Sequence, residues 1–322
     1  MGGSRIQRER LELNAWQAVP PWIEILAIVE TPLQLYDPRD GDLALKVASL
    51  PGGLDLARPH RFNYFTTVWV QEGRGTFWAD LGQYGFEAGC LLFFVPYQPF
   101  RLSCESPARG LVIQFHANFL CIETHHAEVG CNGVLFNDVY GVPLVRLDAD
   151  HEVEFRGLID SMRRELEASG LAHSEVLLSY LKIFLVKAAR LKLEQQDHAQ
   201  AAVVKRPPVL DELKRLIEED YRVEHSPGYY ARRLHLAPKS LAKLVKRHFH
   251  KTPTELIRDC IVRQAKWELL HTLKPVKQIA AEVGFRDELY FSRLFKRATG
   301  CAPSFFREFE TSIRGGRNVW VR

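Results

Sequence analysis

The residues VKQIAAEVGFRDELYFSRLFKRATGCAPSFFR, from Val276 to Arg307, decide the fold of the last part of the chain. Their first apolar residues recur at the spacing of one helix face: Val276, Ile279, Ala280 and Val283. Gly284 then interrupts this period, and glycine suits the positive φ that a tight turn between helices requires. The beginning of the stretch therefore predicts a short helix that ends in a turn.

A second helix is predicted directly after this turn. Asp287 is a suitable N-cap. The predicted inward face of the helix is apolar: Leu289, Tyr290, Leu294 and Phe295. The predicted outward face is polar and mostly basic: Arg286, Glu288, Ser292, Arg293, Lys296 and Arg297. A short helix, a tight turn and a basic helix indicate a helix-turn-helix. The alternative is a helical hairpin whose charged face is merely solvated.

The stretch resembles the second helix-turn-helix of the AraC/XylS family of bacterial transcription regulators. The matching residues are Ile279-Ala280, Gly284-Phe285, Asp287, Tyr290 to Arg293, Phe295-Lys296, Gly300, Pro303 and Arg307. The resemblance implies a cytoplasmic, non-enzymatic regulator, by default an activator, that binds double-stranded DNA. It also implies a small-molecule effector, a homodimer and RNA polymerase as partners, and no cofactor.

Residues 209–310 are predicted to form the whole all-α DNA-binding domain, with a first helix-turn-helix before the stretch quoted above. Ser226-Pro227 marks a helix start, and Pro238 to Phe249 is predicted to be the recognition helix. Val245 and His250 depart from the family pattern, which has Phe and Gly there. Because Gly adopts the left-handed conformation more easily than His, the helix end after Phe249 is expected to differ.

The family pattern also implies which side chains meet DNA. The base-contacting positions fall on Lys239, Ala242, Lys243, Glu288, Leu289, Ser292 and Arg293. The phosphate-contacting positions fall on Lys246, Arg247, Lys296 and Arg297. Arg293 can read guanine through two hydrogen bonds, and Glu288 can accept one from cytosine. Residues 311–322 are a tail that matches no pattern.

The charge of the chain is unevenly distributed. From Lys205 onward there are 25 Lys and Arg against 14 Asp and Glu, whereas the preceding residues carry 18 against 25. This division predicts a polyanion-binding module joined to a part that does not touch the polyanion. The first residues are charged and lack the apolar segment of a signal peptide, and no apolar run is long enough to span a membrane. A cytoplasmic protein is therefore expected.

Residues 1–150 have the texture of a β-rich domain. Short β-branched and aromatic runs are separated by turn residues: Phe62–Val70, Gly75–Ala79, Leu91–Val95 and Leu111–Phe115, with breaks at Gly82, Gly89 and Pro96. This spacing predicts a sandwich or small barrel, so that the whole chain is of the α+β class. The segment from His60 to Pro96 resembles the cupin-like effector domain of the same family. Metal-binding cupins carry a His-x-His pair, but here His60 is followed by Phe62, and Phe100 stands near the later His, so no metal is expected.

An eight-stranded barrel of this kind can enclose one small ligand. The candidate effector-binding residues are Arg61, Tyr64, Trp69, Trp78, Gln98 and Arg101. Most of the aromatic residues also suit a plain core. A separate group, Cys121, His125, His126 and Cys131, has ligand types that suit zinc or copper, but its spacing is not a familiar one. A metal sensor, or a cupin-type metal-dependent enzyme that carries a DNA-binding domain, is therefore the alternative function.

Residues 151–197 are predicted to form two helices. The second has an apolar stripe, Leu177, Leu181, Phe184, Ala188 and Leu191, with further apolar surface at Ile183 and Val186. A helix that is apolar on two sides needs two neighbours, the sandwich and a second subunit, and the resemblance implies dimerisation here. Packing within a monomer is the alternative. Residues 198–208 end in paired prolines and are predicted to be the linker.

Overall fold

The computed structural model describes residues 31–50, 56–120, 133–168, 170–202 and 207–314. Within these ranges the first part of the chain is a β-sandwich with two long helices, and the last part is helical. The strands are β1 (Leu33–Gln34), β2 (Leu45–Leu50), β3 (Arg61–Phe62), β4 (Phe65–Glu72), β5 (Gly75–Ala79), β6 (Gly82–Phe86), β7 (Cys90–Phe94), β8 (Phe100–Cys104), β9 (Arg109–Phe115) and β10 (Leu144–Arg146). A short 3-10 helix, Pro38–Asp40, lies between β1 and β2.

Two antiparallel sheets make up the sandwich. The larger sheet has five strands in the order β10-β7-β4-β9-β2, and the smaller has three in the order β6-β5-β8. Strand β4 lies in the middle of the larger sheet and is buried on both faces from Phe65 to Val70, so its sequence does not alternate. Strands β5 and β6 alternate between buried and more exposed residues, because only one face of their sheet is covered.

Aromatic side chains fill the space between the two sheets. The rings of Phe94 and Phe100 stack with their centroids 4.0 Å apart, and Phe77 lies 5.2 Å from Tyr84 and 5.9 Å from Phe94. This core closes the space in which a barrel ligand was expected.

The predicted strands are confirmed, with one exception. The run Gly75–Ala79 is β5, and the other three runs overlap β4, β7 and β9. The interpretation of Gly82 as a break is wrong, because Gly82 pairs with Ala79 and begins β6. The turn is instead made by Asp80 and Leu81, and Asp80 adopts a φ of 54° there.

Helices α1 (Ala149–Ala168) and α2 (His173–Ala202) cover the outer face of the larger sheet. The predicted stripe is confirmed: Leu177, Leu181, Phe184, Ala188 and Leu191 are all buried. The predicted end of α2 near Gln196 is too early, because the helix continues into the segment assigned to the linker. Ala and Gln in that segment favour helix, and the helix-breaking prolines come only later. Residues 203–206 of the predicted linker lie outside the described residues.

Seven helices form the C-terminal domain within residues 207–314. They are α3 (Pro208–Asp220), α4 (Pro227–Arg233), α5 (Pro238–Phe249), α6 (Pro253–His271), α7 (Val276–Glu282), α8 (Glu288–Thr299) and α9 (Pro303–Ile313). The pairs α4–α5 and α7–α8 are the two predicted helix-turn-helix units, and α6 joins them. A capping box of Thr252 and Glu255 fixes the start of α6.

The two halves of the molecule share their hydrophobic cores. Tyr97 and Val139 of the sandwich belong to the core of the helical domain, and Ile313 of α9 belongs to the core between the sheets. Polar contacts reinforce the packing, since the Lys266 ammonium donates to the Pro96 carbonyl at 2.8 Å. The helical domain is therefore docked against the sandwich.

None of the helices within the described ranges combines the length and apolar character that crossing a bilayer requires.

Candidate DNA-binding surface and interdomain cavity

Helix α5 presents a basic face to solvent. Its inward side chains are Leu241, Val245 and Phe249, at four-residue steps. Because these three residues anchor the helix, the lysines and the arginine between them point outward. The predicted DNA-contacting residues on this helix are all exposed: Lys239, Ala242, Lys243, Lys246 and Arg247. The helix ends at His250, which adopts the left-handed conformation with φ 58°, so this position takes the usual cap geometry without glycine.

Helix α8 has the same design. The Asp287 carboxylate accepts the Leu289 N–H at 2.8 Å, which confirms the predicted N-cap. The predicted inward face is partly wrong. The buried residues are Phe291, Phe295 and Thr299, whereas Leu289 and Tyr290 are 70% and 53% exposed. Sequence alone leaves this rotation open. Three successive residues, Leu289 to Phe291, are aromatic or apolar, so periodicity selects no single buried face.

The predicted DNA-contacting residues of α8 also lie on the accessible side. Leu289, Arg293, Lys296 and Arg297 are exposed, and Glu288 and Ser292 are half-buried. The exposed face of α8 is therefore basic except at its first turn, where Glu288 lies near the positive end of the helix dipole.

Gly284 fixes the turn between α7 and α8. Its φ is 93°, and a Cβ atom there would lie 2.2 Å from the Arg222 carbonyl oxygen and 2.7 Å from His225 Nε2. His225 in turn lies 3.2 Å from the Val283 carbonyl and packs its ring on Phe285. The segment after α3 therefore contacts the turn of the second helix-turn-helix, which holds the two units together.

A cavity of about 900 Å³ lies between the sandwich and the helical domain. Strand ends and loops of the sandwich form one wall, and α6 and α8 form the other. Aromatic side chains contribute from both sides: Tyr84, Phe93, Tyr97, Trp267 and Tyr290. The cationic lining residues are Arg61, Lys192, Lys251, Arg258, Arg263, Lys266, Arg293 and Arg297, and the carboxylates among the lining residues are Asp80, Asp138 and Asp259. The described lining is therefore strongly positive.

Part of this charge is compensated by buried carboxylates. Asp259 accepts from Lys251 at 2.9 Å and from Arg258 at 2.8 Å. Burial alone would raise the pKa of Asp259, but the charges of Lys251 and Arg258 outweigh burial and lower it. Asp80 lies near the same cluster, and burial together with the Asp259 charge raises the pKa of Asp80. Two carboxylates therefore share this site with two cations, and Asp80 is the one that protonates more easily.

The six candidate effector-binding residues do not lie together. Arg61 is 1% exposed and lines the interdomain cavity, as does Gln98, whose amide donates to Asp80 at 2.6 Å. The other four are absent from this lining. Tyr64 is buried and donates to the Leu43 carbonyl at 2.9 Å, and Trp69 is buried in the core beneath the helices. Trp78 and Arg101 pack on each other, with the guanidinium 4.0 Å from the ring centroid.

A buried carboxylate of the helical domain lies in a socket of the sandwich. Glu310 on α9 is 1% exposed, and it accepts from the Tyr97 hydroxyl and, at 3.2 Å, from the Asn63 amide. His116 Nε2 lies 3.4 Å from the same carboxylate, and Arg314 lies 2.9 Å away. We call these four residues around Glu310 the Glu310 socket.

The hydrogen bonds of the Glu310 socket determine which nitrogen of His116 carries a proton, and they keep Glu310 ionised. The backbone N–H of Asn118 donates to His116 Nδ1 at 3.1 Å, so Nδ1 carries no proton and Nε2–H points at the carboxylate. Burial alone would raise the pKa of Glu310, but the His116 hydrogen bond and the Arg314 charge outweigh it and lower the pKa to about 2. Glu310 is therefore an anion held inside the interface between the two domains.

Local sequence patterns did not indicate the Glu310 socket or the Lys251–Asp259 pair. Glu310 and Tyr97 are separated by 213 positions, and Glu310 and Asn63 by 247. The only signal within α9 is a carboxylate at a position that otherwise belongs to the buried face with Phe306 and Ile313. A charge on an apolar helix face indicates a buried partner without naming it.

Among the described residues no group of three or more His, Cys, Asp or Glu side chains could hold a metal ion. Cys121, His125, His126 and Cys131 lie outside the described residues.

Comparison with known proteins agrees with this geometry. A family described as a helix-turn-helix domain matches residues 230–308. The transcriptional activator RhaR of Cronobacter sakazakii is 27% identical over 267 residues, which is 82% of this chain and 91% of RhaR. The arabinose operon regulatory protein of Escherichia coli is 39% identical over 72 residues, which is 22% of this chain and 25% of that protein.

The chain is similar to transcription regulators of the AraC type.

Among solved structures, apo ToxT from Vibrio cholerae aligns with a TM-score of 0.37 and 16% identity, over 83% of this chain and 98% of ToxT. Both of these relatives are transcriptional regulators by name, and neither is named as a metal-dependent enzyme. The arabinose regulator matches over only a quarter of its own length.

Proposed function

We propose that this chain is an AraC-type transcription regulator, which reads a specific DNA sequence with α5 and α8 and responds to a small organic anion bound in the interdomain cavity. DNA recognition by these two helices is supported by their close similarity in length, buried positions and helix end. Each is 12 residues long, is buried at three positions spaced four apart, and ends in a left-handed residue. Each leaves a basic face exposed to solvent.

Helix α6 sets the distance between the two recognition helices, α5 and α8. Its 19 residues correspond to about 28 Å of helix at about 1.5 Å per residue. Successive major-groove segments on one face of DNA lie roughly 34 Å apart. A rigid connection of this length supports the proposal that both recognition helices enter the major groove of one duplex.

The binding site is to be found by selecting duplexes from a random pool with the full chain. On the selected duplex, Arg293→Ala is expected to weaken binding by ~1–3 kcal/mol and to relax the preference at one base pair, because a bidentate contact to guanine is lost. Binding is to be measured by fluorescence anisotropy on a panel of single-base variants.

Lys296→Ala is the matched comparison on the same helix. As a phosphate contact it is expected to weaken all duplexes alike and to lower the salt dependence by about one ion. Uniform weakening by Arg293→Ala would assign Arg293 to the backbone instead. Failure to select any sequence would contradict sequence-specific recognition.

The lining of the interdomain cavity supports an anionic effector. Its volume lies within the ~300–1,000 Å³ of ordinary ligand sites, and its lining joins aromatic surface to an excess of cations. Because both domains contribute to the wall, a ligand there binds the docked arrangement more tightly than an undocked one. Such a difference in affinity is what coupling between effector and DNA requires.

The exposed side of α2 supports a homodimer. Ile183 and Leu193 are 42% and 46% exposed on a helix whose other side is covered by the sandwich. We expect Ile183→Lys to convert a dimer into a monomer in sedimentation velocity, because a charge would be buried in the interface. Glu175→Lys, at an exposed polar position of the same helix, is the control. A wild-type monomer would contradict this assignment.

Activation of transcription, with RNA polymerase as a partner, is part of the same proposal and is supported by the name of the activator RhaR. A transcription assay on the selected duplex, placed upstream of a promoter, decides between activation and repression.

A further inference from the structure

Two arginines of the second recognition helix belong to two surfaces at once. Arg293 and Arg297 lie on the exposed face of α8 that is proposed to meet DNA, and both also line the interdomain cavity. They are one turn apart, so their guanidinium groups lie on the same side of the helix. A molecule in the mouth of the cavity therefore meets the side chains that DNA would meet.

The charge of these two arginines is also less compensated than that of most other cations of the lining. Lys251 and Arg258 share Asp259, Lys192 lies 3.9 Å from Asp138, and Arg263 pairs with Glu218 at 2.8 Å. In the described part of the chain, by contrast, neither Arg293 nor Arg297 forms an ion pair with a carboxylate. An anion entering the cavity gains most where positive charge is uncompensated.

We propose that an organic anion in the interdomain cavity and the DNA backbone or bases compete for Arg293 and Arg297, so that effector binding weakens DNA binding by the second helix-turn-helix. The proposal rests on the effector-controlled function proposed above. It adds that the effector lowers the affinity for DNA rather than raising it. One pair of guanidinium groups cannot serve both anions, since each needs the same donors at hydrogen-bonding distance. The effector then acts as a negative regulator of DNA affinity, and DNA expels the effector.

Thermodynamic linkage requires that the anion and DNA weaken each other's binding by the same factor. If the anion lowers DNA affinity by a given factor, DNA lowers the affinity for the anion by the same factor. Couplings between binding sites are typically about 5- to 150-fold. For a shared pair of arginines we expect a coupling of roughly tenfold or more at low salt, falling as salt rises because both ligands are anions.

The probe is anilinonaphthalenesulfonate, a fluorescent aromatic molecule with one sulfonate, and the protein is the full chain. Its affinity is measured with and without the selected duplex, and the affinity for the duplex is measured with and without saturating probe. The test variant is the double substitution Arg293→Ala with Arg297→Ala. The control is Lys243→Ala, which removes an exposed cation of α5 that does not line the cavity.

The expected result is reciprocal weakening in the wild-type protein and in Lys243→Ala, although Lys243→Ala binds DNA less tightly. In the double variant the probe binds several-fold more weakly, and the coupling factor falls to about one. Three results would overturn the proposal: no saturable probe binding, probe binding that leaves DNA affinity unchanged or raises it, or a coupling that persists in the double variant. Since DNA binding is measured without probe as well, these outcomes are distinct from a failure to recognise DNA.

Discussion

Replacing Glu310 with alanine is expected to release the helical domain from the sandwich, weakening the docking of the two by about 3–5 kcal/mol. The carboxylate accepts from Tyr97 and Asn63 and lies beside His116 and Arg314. Alanine leaves all of these groups without their acceptor, and three of them, Tyr97, Asn63 and His116, are closed to water while the domains are docked. Undocking lets them rehydrate, so the substitution shifts the docking equilibrium more than it unfolds either domain.

Hydrogen exchange measured by mass spectrometry detects this change. In Glu310→Ala the amides of α9 and of the β3–β4 segment around Asn63 are expected to exchange faster, whereas the amides of the larger sheet keep their protection. Glu308→Ala is the matched control, because it removes the same side chain from an exposed position of the same helix. A surface change of this kind is expected to stay within about 0.5 kcal/mol of wild type. Unchanged exchange in Glu310→Ala would show that apolar packing alone holds the domains together.

Acid is expected to weaken the same contact. The fold lowers the pKa of Glu310 to about 2 from an ordinary value near 4.5, so the ionised carboxylate stabilises the docked state above about pH 4.5. That contribution, about 3 kcal/mol, is lost progressively as the pH falls from about 4.5 towards 2. The stability difference between wild type and Glu310→Gln should therefore shrink across this window and stay constant above it. A difference that is independent of pH would mean that the carboxylate is not ionised in the docked state.

Gly284→Ala is expected to destabilise the DNA-binding domain by several kcal/mol and to abolish binding to the selected duplex. Two costs add. A left-handed φ of 93° strains any L-residue with a side chain by roughly 1–2 kcal/mol, and the new methyl group would lie 2.2 Å from the Arg222 carbonyl oxygen. Backbone contacts that short force a shift of the turn, and overpacking of this kind typically costs another 1–3 kcal/mol.

Gly228→Ala provides the matched control within the same domain. Gly228 lies in α4, and a Cβ atom there would meet only Ser226 at 3.5 Å and Arg232 at 3.9 Å, both ordinary contacts with side chains. Alanine in a helix is favoured over glycine by roughly 0.5–1 kcal/mol, so this variant is expected to be as stable as wild type or slightly more stable. Urea unfolding followed by the circular dichroism of the helices compares the two variants. Equal stability of both would contradict the assigned role of Gly284 in the turn.

Short-range features of the molecule could be predicted from the sequence. The second helix-turn-helix was predictable because its signals are local: an apolar period in Val276–Val283, a glycine at the turn and an aspartate at the next N-cap. The strands around Gly75–Ala79 and Leu111–Phe115 were predictable for the same reason, since β-branched and aromatic runs between turn residues depend on neighbours in the chain. Where local signals conflict, as in the apolar run near the start of α8, the prediction of the buried face was partly wrong: Phe295 is buried as predicted, but Leu289 and Tyr290 are exposed.

The placement of the candidate ligand site could not be predicted in the same way. The expectation of a pocket inside the barrel treated Tyr64, Trp69 and Trp78 as lining residues, but an aromatic side chain carries the same signal in a core as in a pocket. Only the packing of the two sheets, with Phe94 stacked on Phe100, decides that this interior is filled. Arg61 and Gln98 face the interdomain cavity because the helical domain completes the wall on their side.

Local order in the chain was enough to predict the two helix-turn-helix units, four of the strand-forming runs and the basic face of each recognition helix, because each depends on residues within one or two helical turns or strands. How the two halves meet was settled only by tertiary packing. The Glu310 socket and the cavity shared by Arg61 and Arg293 join residues more than 190 positions apart. Contacts at such separations form only when the two domains fold and dock. They leave no periodic pattern in the sequence, so the sequence could not predict them.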